Sequence, residues 1–189
     1  MEDIAVKNLA ATRSQRAKRA GPLEPHDALV LLAADHAALL GMFRDYERSR
    51  KTATTMEKGK LALRICHLLS IHAEMEQEIF YPAAERVLGK NAETMLVEAR
   101  VEHDVIKSLV EKLEHLPARQ ATFDATVKVL GDHVARHFEE EENELFAKLR
   151  HSKLDLAGLG EQLAARQLEL GTAPPDKKVF AEGRRVLGS

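Results

Sequence analysis

Four stretches of this sequence repeat apolar residues at spacings of three and four, and each stripe is interrupted by a histidine. The first follows Pro25 and runs to about Arg50, with Leu29, Leu32, Leu39, Phe43 and Tyr46 aligned and His36 among them. The second carries Leu61, Ile65, Leu68, His72, Glu76 and Ile79, and the third Leu96, Ala99, His103, Ile106, Val110 and Leu113. The fourth begins near Thr122 and aligns Val127, Leu130, Val134, His137, Glu141 and Leu145. Residues three and four apart lie one above another on a helix, so each pattern predicts an amphipathic helix with one buried stripe. The connections are short. Thr52 to Thr55 offers an N-cap, and Pro82 is expected to kink the second helix or end its regular hydrogen bonding. Gly89 punctuates the chain, Asn91 is expected to cap the third helix, and Pro117 breaks it. No alternating, strand-like pattern competes. Four such helices with short polar loops predict an all-α, antiparallel up-down-up-down four-helix bundle. Leu156, Leu159, Leu163 and Leu170 predict a short additional C-terminal helix before Pro174 and Pro175.

Composition agrees. Aromatic residues make up only 4% of the chain and Trp is absent, which suits helices better than a β-sandwich or barrel. The expected organisation is a polar, basic N-terminal tail over 1–24, with Arg13, Arg16, Lys18 and Arg19, then the bundle over 25–150 and the C-terminal helix and tail over 151–189. A formal net charge of −2 gives no reason to expect nucleic acid or an anionic membrane as partner. The single cysteine, Cys66, allows no disulfide within the chain and points to a reducing compartment. There is no apolar run of signal-peptide length and none approaching the roughly 18 apolar residues of a membrane span, so a cytoplasmic protein is expected.

The two halves of the bundle repeat one another. The first and third helices place an acid before a core histidine, as Asp35-His36 and Glu102-His103. The second and fourth hold a histidine followed four residues later by glutamate, as His72-Ala-Glu-Met-Glu76 and His137-Phe-Glu-Glu-Glu141. From His36 to its helix end is about 14 residues, roughly 21 Å, and from the next helix start back to His72 roughly 24 Å. The same balance holds between His103 and His137, so all four histidines can face inward at one level. Neutral imidazole suits iron and zinc, and carboxylates bridge paired ions. Burying His36, His72, Glu76, His103, His137 and Glu141 together without metal would demand a large polar network or strongly shifted titrations. The spacing therefore predicts a site for two metal ions. His133, one turn before His137, is either an additional donor to it or a histidine at the bundle's flank. Within Glu139 to Glu142 only Glu141 requires an inward role, Tyr46 and Tyr81 either approach the metal pocket or, the preferred reading, pack in the core, and Cys66 lies too far along the axis from His72 to be a ligand.

With Ile79-Phe80-Tyr81-Pro82 after the first pair and Glu144-Leu145-Phe146 after the second, this ordered set resembles the hemerythrin family, more closely its bacterial HHE cation-binding branch, over about residues 26–150. The resemblance implies a non-haem di-iron centre bridged by oxygen and carboxylates. His36 and His72 would bind one iron, His103 and His137 the other, and Glu76 and Glu141 would bridge them. Other divalent metals suit the same ligands. The sequence departs from the oxygen-carrying members in having Ala99 where they place a further histidine, and in offering both Glu141 and Glu142 near the second bridging position. Glu141 is preferred because it repeats the spacing of His72 and Glu76. The implied function is binding of a small ligand such as oxygen, nitric oxide or peroxide, or handling of iron. The alternatives are a catalase- or peroxidase-like redox enzyme and, more distantly, a metal-free helical interaction protein.

Overall fold

The structure, a computed structural model, describes residues 27–172. The expected tail over 1–24 and the Pro174-Pro175 segment lie outside the described residues. Within them the chain is helical: α1 (Ala28–Ser49), α2 (Thr55–Met75), a π-helical segment (Glu76–Phe80), α3 (Tyr81–Leu88), a 3₁₀ turn (Gly89–Asn91), α4 (Glu93–His115), α5 (Ala121–Glu140), a second π-helical segment (Glu141–Phe146), α6 (Ala147–Leu149) and α7 (Leu156–Thr172). α2 runs through its π segment into α3, and α5 runs through its own into α6. Four rods result, and around the bundle α1 neighbours α2 and α5 while α4 neighbours the same two. The expected four-helix bundle with an added C-terminal helix is the fold observed. α7 lies outside the four, against α1, α2 and the first π segment.

Local chemistry sets the boundaries. Asp27 caps α1, its carboxylate accepting from the Leu29 amide at 2.8 Å. Thr54 and Glu57 form a reciprocal capping box at the start of α2. Leu116 is extended, the conformation that a following proline imposes, and α4 stops there. The capping expectation for Asn91 is corrected: it lies in the 3₁₀ turn, and α4 starts after Ala92 with no side-chain cap. Gly89 has φ 53°, a left-handed conformation that only glycine adopts cheaply, and it ends α3.

Pro82 does not end the second rod. It has no amide hydrogen and its ring crowds the carbonyl four residues back, and the π segment immediately before it absorbs both problems. There the Tyr81 amide bonds to the Glu76 carbonyl, five residues away. The wider turn also changes which residues face inward. Phe80 and Tyr81 are consecutive yet both buried, and so are Leu145 and Phe146 in the second π segment.

The apolar core is divided. One cluster, at the α3 and α7 end, contains Leu32, Met75, Phe80, Leu96, Phe146 and Leu163. The other, toward the opposite end, contains Leu39, Ile65, Leu69, Ile106, Val134 and Phe138. His36 stands between Leu32 and Leu39, His72 between Leu69 and Met75, and His103 between Ala99 and Ile106. A layer of polar side chains therefore crosses the bundle between two dry regions.

Candidate metal centre

That layer is made of the six residues singled out by the repeat. None of His36, His72, Glu76, His103, His137 and Glu141 is more than 4% exposed, so water cannot satisfy them. The histidines meet in pairs through their Nε2 atoms: His36 and His72 are 3.1 Å apart, and His103 and His137 are 2.9 Å apart. Glu76 lies between the pairs. Its Oε1 is 3.1 Å from His72 Nε2 and 3.7 Å from His36 Nε2, while its Oε2 is 3.3 Å from His103 Nε2. Glu141 approaches from the far side, its Oε2 3.4 Å from His36 Nε2. Two groups of ligand atoms, His36-His72-Glu76 and Glu76-His103-His137, each lie within 4.8 Å of one another and share Glu76.

Three of the four outer nitrogens are hydrogen-bonded from behind, two of them by a residue of the opposite half, and His72 Nδ1 has no hydrogen-bond partner. Glu142 accepts from His36 Nδ1 at 2.8 Å, and the equivalent residue of the first half, Gln77, sets its side-chain amide 3.0 Å from His103 Nδ1. Glu102 accepts from His137 Nδ1 at 2.8 Å, and its counterpart Asp35 stands 3.8 Å from His72 Nδ1. A carboxylate behind Nδ1 fixes the tautomer that leaves the Nε2 lone pair free and makes that nitrogen a better donor. Phe138 lies flat on His36, with ring centroids 3.8 Å apart, and fixes the ring plane. The Tyr81 hydroxyl reaches to 3.3 Å from His103 Nε2, whereas its counterpart Phe146 presents an apolar ring near His36.

Titration is strongly perturbed. Burial disfavours a charged His72, but the Glu76 carboxylate and Asp35 outweigh burial and raise it to about 9. Burial pushes Glu76 up, yet the His72 charge and the surrounding imidazoles hold it well below the usual carboxylate range. Glu141 is raised well above its ordinary value, first by burial and then by the nearby Glu76 charge. Burial lowers His137. Tyr81 is raised by burial and by the Glu76 and Glu141 carboxylates, so its hydroxyl keeps its proton.

A cation fits this arrangement. All four carboxylate oxygens of Glu76 and Glu141 are buried without a hydrogen bond, a costly arrangement for oxygens that have lost water and gained no donor. Imidazole nitrogens bind zinc-like ions at about 2.1 Å, so two of them at a right angle would stand roughly 3 Å apart. That is close to the separation in each histidine pair. The donor set, nitrogen with carboxylate oxygen, is the one iron, zinc and manganese accept.

Some expectations need correction. Glu142 is not merely solvated: its carboxylate orients His36 although the residue is partly open to water. Tyr81 does approach the pocket, whereas Tyr46 lies at the far end of the bundle and donates to Asp124 Oδ1 at 2.7 Å. His133 is outside both groups, and Cys66 is buried in the second apolar cluster. Gln77 is not legible in the sequence because it lies beside the stripe, whereas Tyr81 takes the less favoured of its two expected places because the π turn carries it inward. A partial signal was present: Phe80-Tyr81 and Leu145-Phe146 are adjacent large apolar or aromatic residues at matching positions of the two halves.

The model of the Hemerythrin HHE cation binding domain matches residues 27–149. The chain belongs to this family. Its hemerythrin-like part is similar to an uncharacterised hemerythrin-like protein of Schizosaccharomyces pombe, 30% identical over 74 residues, or 39% of this chain and 36% of that protein. It is also similar to a DNA nickase of Nostoc sp., 31% identical over 84 residues, or 44% of this chain and 23% of that protein. The matched stretches thus span about a third or less of these relatives' lengths. The crystal structure of a Hemerythrin HHE cation binding domain-containing protein from Mycobacterium kansasii has the same fold, with a TM-score of 0.68 at 23% identity, covering 85% of this chain and 96% of that one. No helix among the described residues is long and apolar enough to cross a membrane.

Proposed function

We propose that this hemerythrin-like chain holds two iron ions and binds a small ligand such as oxygen, nitric oxide or peroxide at them. His36 and His72 would hold one ion and His103 and His137 the other, with Glu76 and Glu141 shared. The observation that carries this reading is that Glu76 belongs to both ligand groups, one oxygen toward each histidine pair. When bound, iron supplies one-electron redox chemistry and coordination positions that exchange. The protein residues do the rest. Glu142, Gln77 and Glu102 orient three of the four imidazoles from their outer nitrogens. The apolar clusters above and below keep bulk water out. The Tyr81 hydroxyl, 3.3 Å from His103 Nε2, places a hydrogen-bond donor inside the pocket.

That hydroxyl favours peroxide turnover as the second reading, since a buried hydrogen-bond donor beside a redox metal is of use to a reaction and of little use to storage. The test is metal analysis after anaerobic loading with ferrous iron, followed by spectroscopy in oxygen, nitric oxide and peroxide. Two irons per chain and new near-ultraviolet absorption are expected, and His36→Ala or Glu76→Gln should lower the iron content. One metal or fewer, unchanged in those variants, would sink the paired site. Peroxide consumption no faster than that of free iron, or unchanged in Tyr81→Phe, would remove the enzyme reading.

A further inference from the structure

The two halves of the bundle are equivalent at the ligands but not around them. Aligning the sequences of the halves on their histidines pairs Leu31 with Glu98, Leu32 with Ala99, Met75 with Glu140 and Ile79 with Glu144. In the first half these positions are apolar and closed over. Leu31 and Ile79 pack against the apolar cluster to which Leu159 and Leu163 of α7 belong, and α7 is tied down on that side by polar contacts. Arg166 pairs with Glu74 and Glu78 at 2.8 Å each, and Gln167 donates to Asp35 Oδ2 at 2.7 Å. In the second half no helix among the described residues covers the equivalent place. A narrow cavity of about 50 Å³ opens there between α4 and the second π segment, lined by Glu98, Ala99, Glu102, Glu140, Glu141 and Glu144.

Two kinds of carboxylate line this groove. Glu102 and Glu140 are partly neutralised by Arg136, at 2.6 and 3.2 Å. Glu98 and Glu144 are exposed and form no ion pair within the described residues. At the inner end stands Glu141, 4% exposed, with neither oxygen hydrogen-bonded, beside His137. Ala99 keeps the floor open, since a larger side chain there would fill a space this small.

We propose that this acidic groove over Ala99 is the route by which a divalent cation enters the centre, with Glu98 and Glu144 capturing it at the mouth and Glu141 receiving it inside. The inference rests on the metal-binding reading above. A cation leaving water needs an oxygen ligand to replace each lost water, and a row of carboxylates ending in an unsatisfied one supplies them in sequence. A cleft lined by one sign of charge between low-dielectric walls also concentrates counter-ions and raises on-rates by about 10- to 1,000-fold. α7 closes the equivalent route in the first half, so loading is one-sided.

The test is the rate of loading of the metal-free, full-length protein with cobalt(II), followed by its visible absorption, with the final metal content measured separately. Glu98→Gln combined with Glu144→Gln should slow loading about tenfold at low ionic strength, less at high salt, and leave the final content at two. Ala99→Phe should slow loading at every salt concentration. Removing two exposed acids elsewhere, with Glu111→Gln and Glu161→Gln, should leave the rate unchanged. Equal rates in the groove variants and the unaltered protein would overturn the route, and so would an equal slowing by the distant pair. A normal rate with reduced final content would overturn it too, by making Glu98 and Glu144 ligands. Failure of the unaltered protein to take up metal would overturn the metal reading itself, which the rate comparison between variants cannot do.

Discussion

At the scale of single residues, the centre is governed by which nitrogen or oxygen faces inward. Glu141 and Glu142 are neighbours in sequence with opposite duties: one carboxylate lies bare among the imidazoles, and the other grips His36 from outside. The proton inventory of the metal-free centre makes a definite prediction. His72 is raised to about 9, so the folded chain keeps a proton that the unfolded chain releases above about 6.5. This contribution is complete below pH 6.5 and is lost as pH rises through about 9, on the order of 3 kcal/mol over that window. Glu141, raised by burial and by Glu76, acts in the same direction. The melting temperature of metal-free protein should therefore fall between pH 6.5 and 9. Metal affinity should rise over the same range, because the ion displaces these protons. A flat stability profile in the metal-free protein would contradict this assignment.

At the scale of elements, the π turns and α7 matter most. Each π segment begins at an inward glutamate, Glu76 or Glu141, and re-phases the helix so that two adjacent residues are buried one turn later. π turns are rare and recur at functional sites because they re-aim side chains at small cost. α7 reaches the centre indirectly. Arg166 holds Glu74 and Glu78, the residues on either side of Met75 to Gln77, and Gln167 holds Asp35 beside His72. Gln167→Leu keeps the apolar docking of α7 but frees Asp35. Its expected signature, for the two-metal site proposed above, is faster loss of one metal to a chelator, with a circular-dichroism spectrum and melting temperature close to those of the unaltered protein. Equal loss of both metals would place α7 outside the control of the His36–His72 half.

At the scale of the whole molecule, the polar layer is both the candidate metal site and a structural fault. The two apolar clusters each form a dry core, but between them lie six buried polar side chains whose carboxylate oxygens have no donor. Any ion that binds the folded and not the unfolded chain adds stability by mass action, about 4 kcal/mol at a thousand times its dissociation constant. Removing metal with a chelator should therefore lower the melting temperature by several degrees, and re-addition should restore it. Tyr46→Phe, which breaks a tie to Asp124 far from the centre, should cost about 1 kcal/mol in both metal-loaded and metal-free protein and leave that difference intact.

The sequence by itself determined the helices, their inward stripes and the six residues that meet at one level, because helical periodicity maps spacing directly onto a face and short loops force the rods back alongside one another. It also distinguished the halves by Ala99, since a missing side chain is legible without coordinates. Spacing also favoured Glu141 over Glu142 as the inward acid, and only the tertiary structure decided what Glu142 does, because its carboxylate meets His36 from a different rod. The cross-pairing of Gln77 and Glu142 onto the opposite half's histidines, and the sealing of one half by α7 while the other stays open, likewise join residues 26 to 132 positions apart. Contacts of that kind leave no periodic trace in a sequence, because they are fixed by where the rods end up and not by the repeat within any one of them.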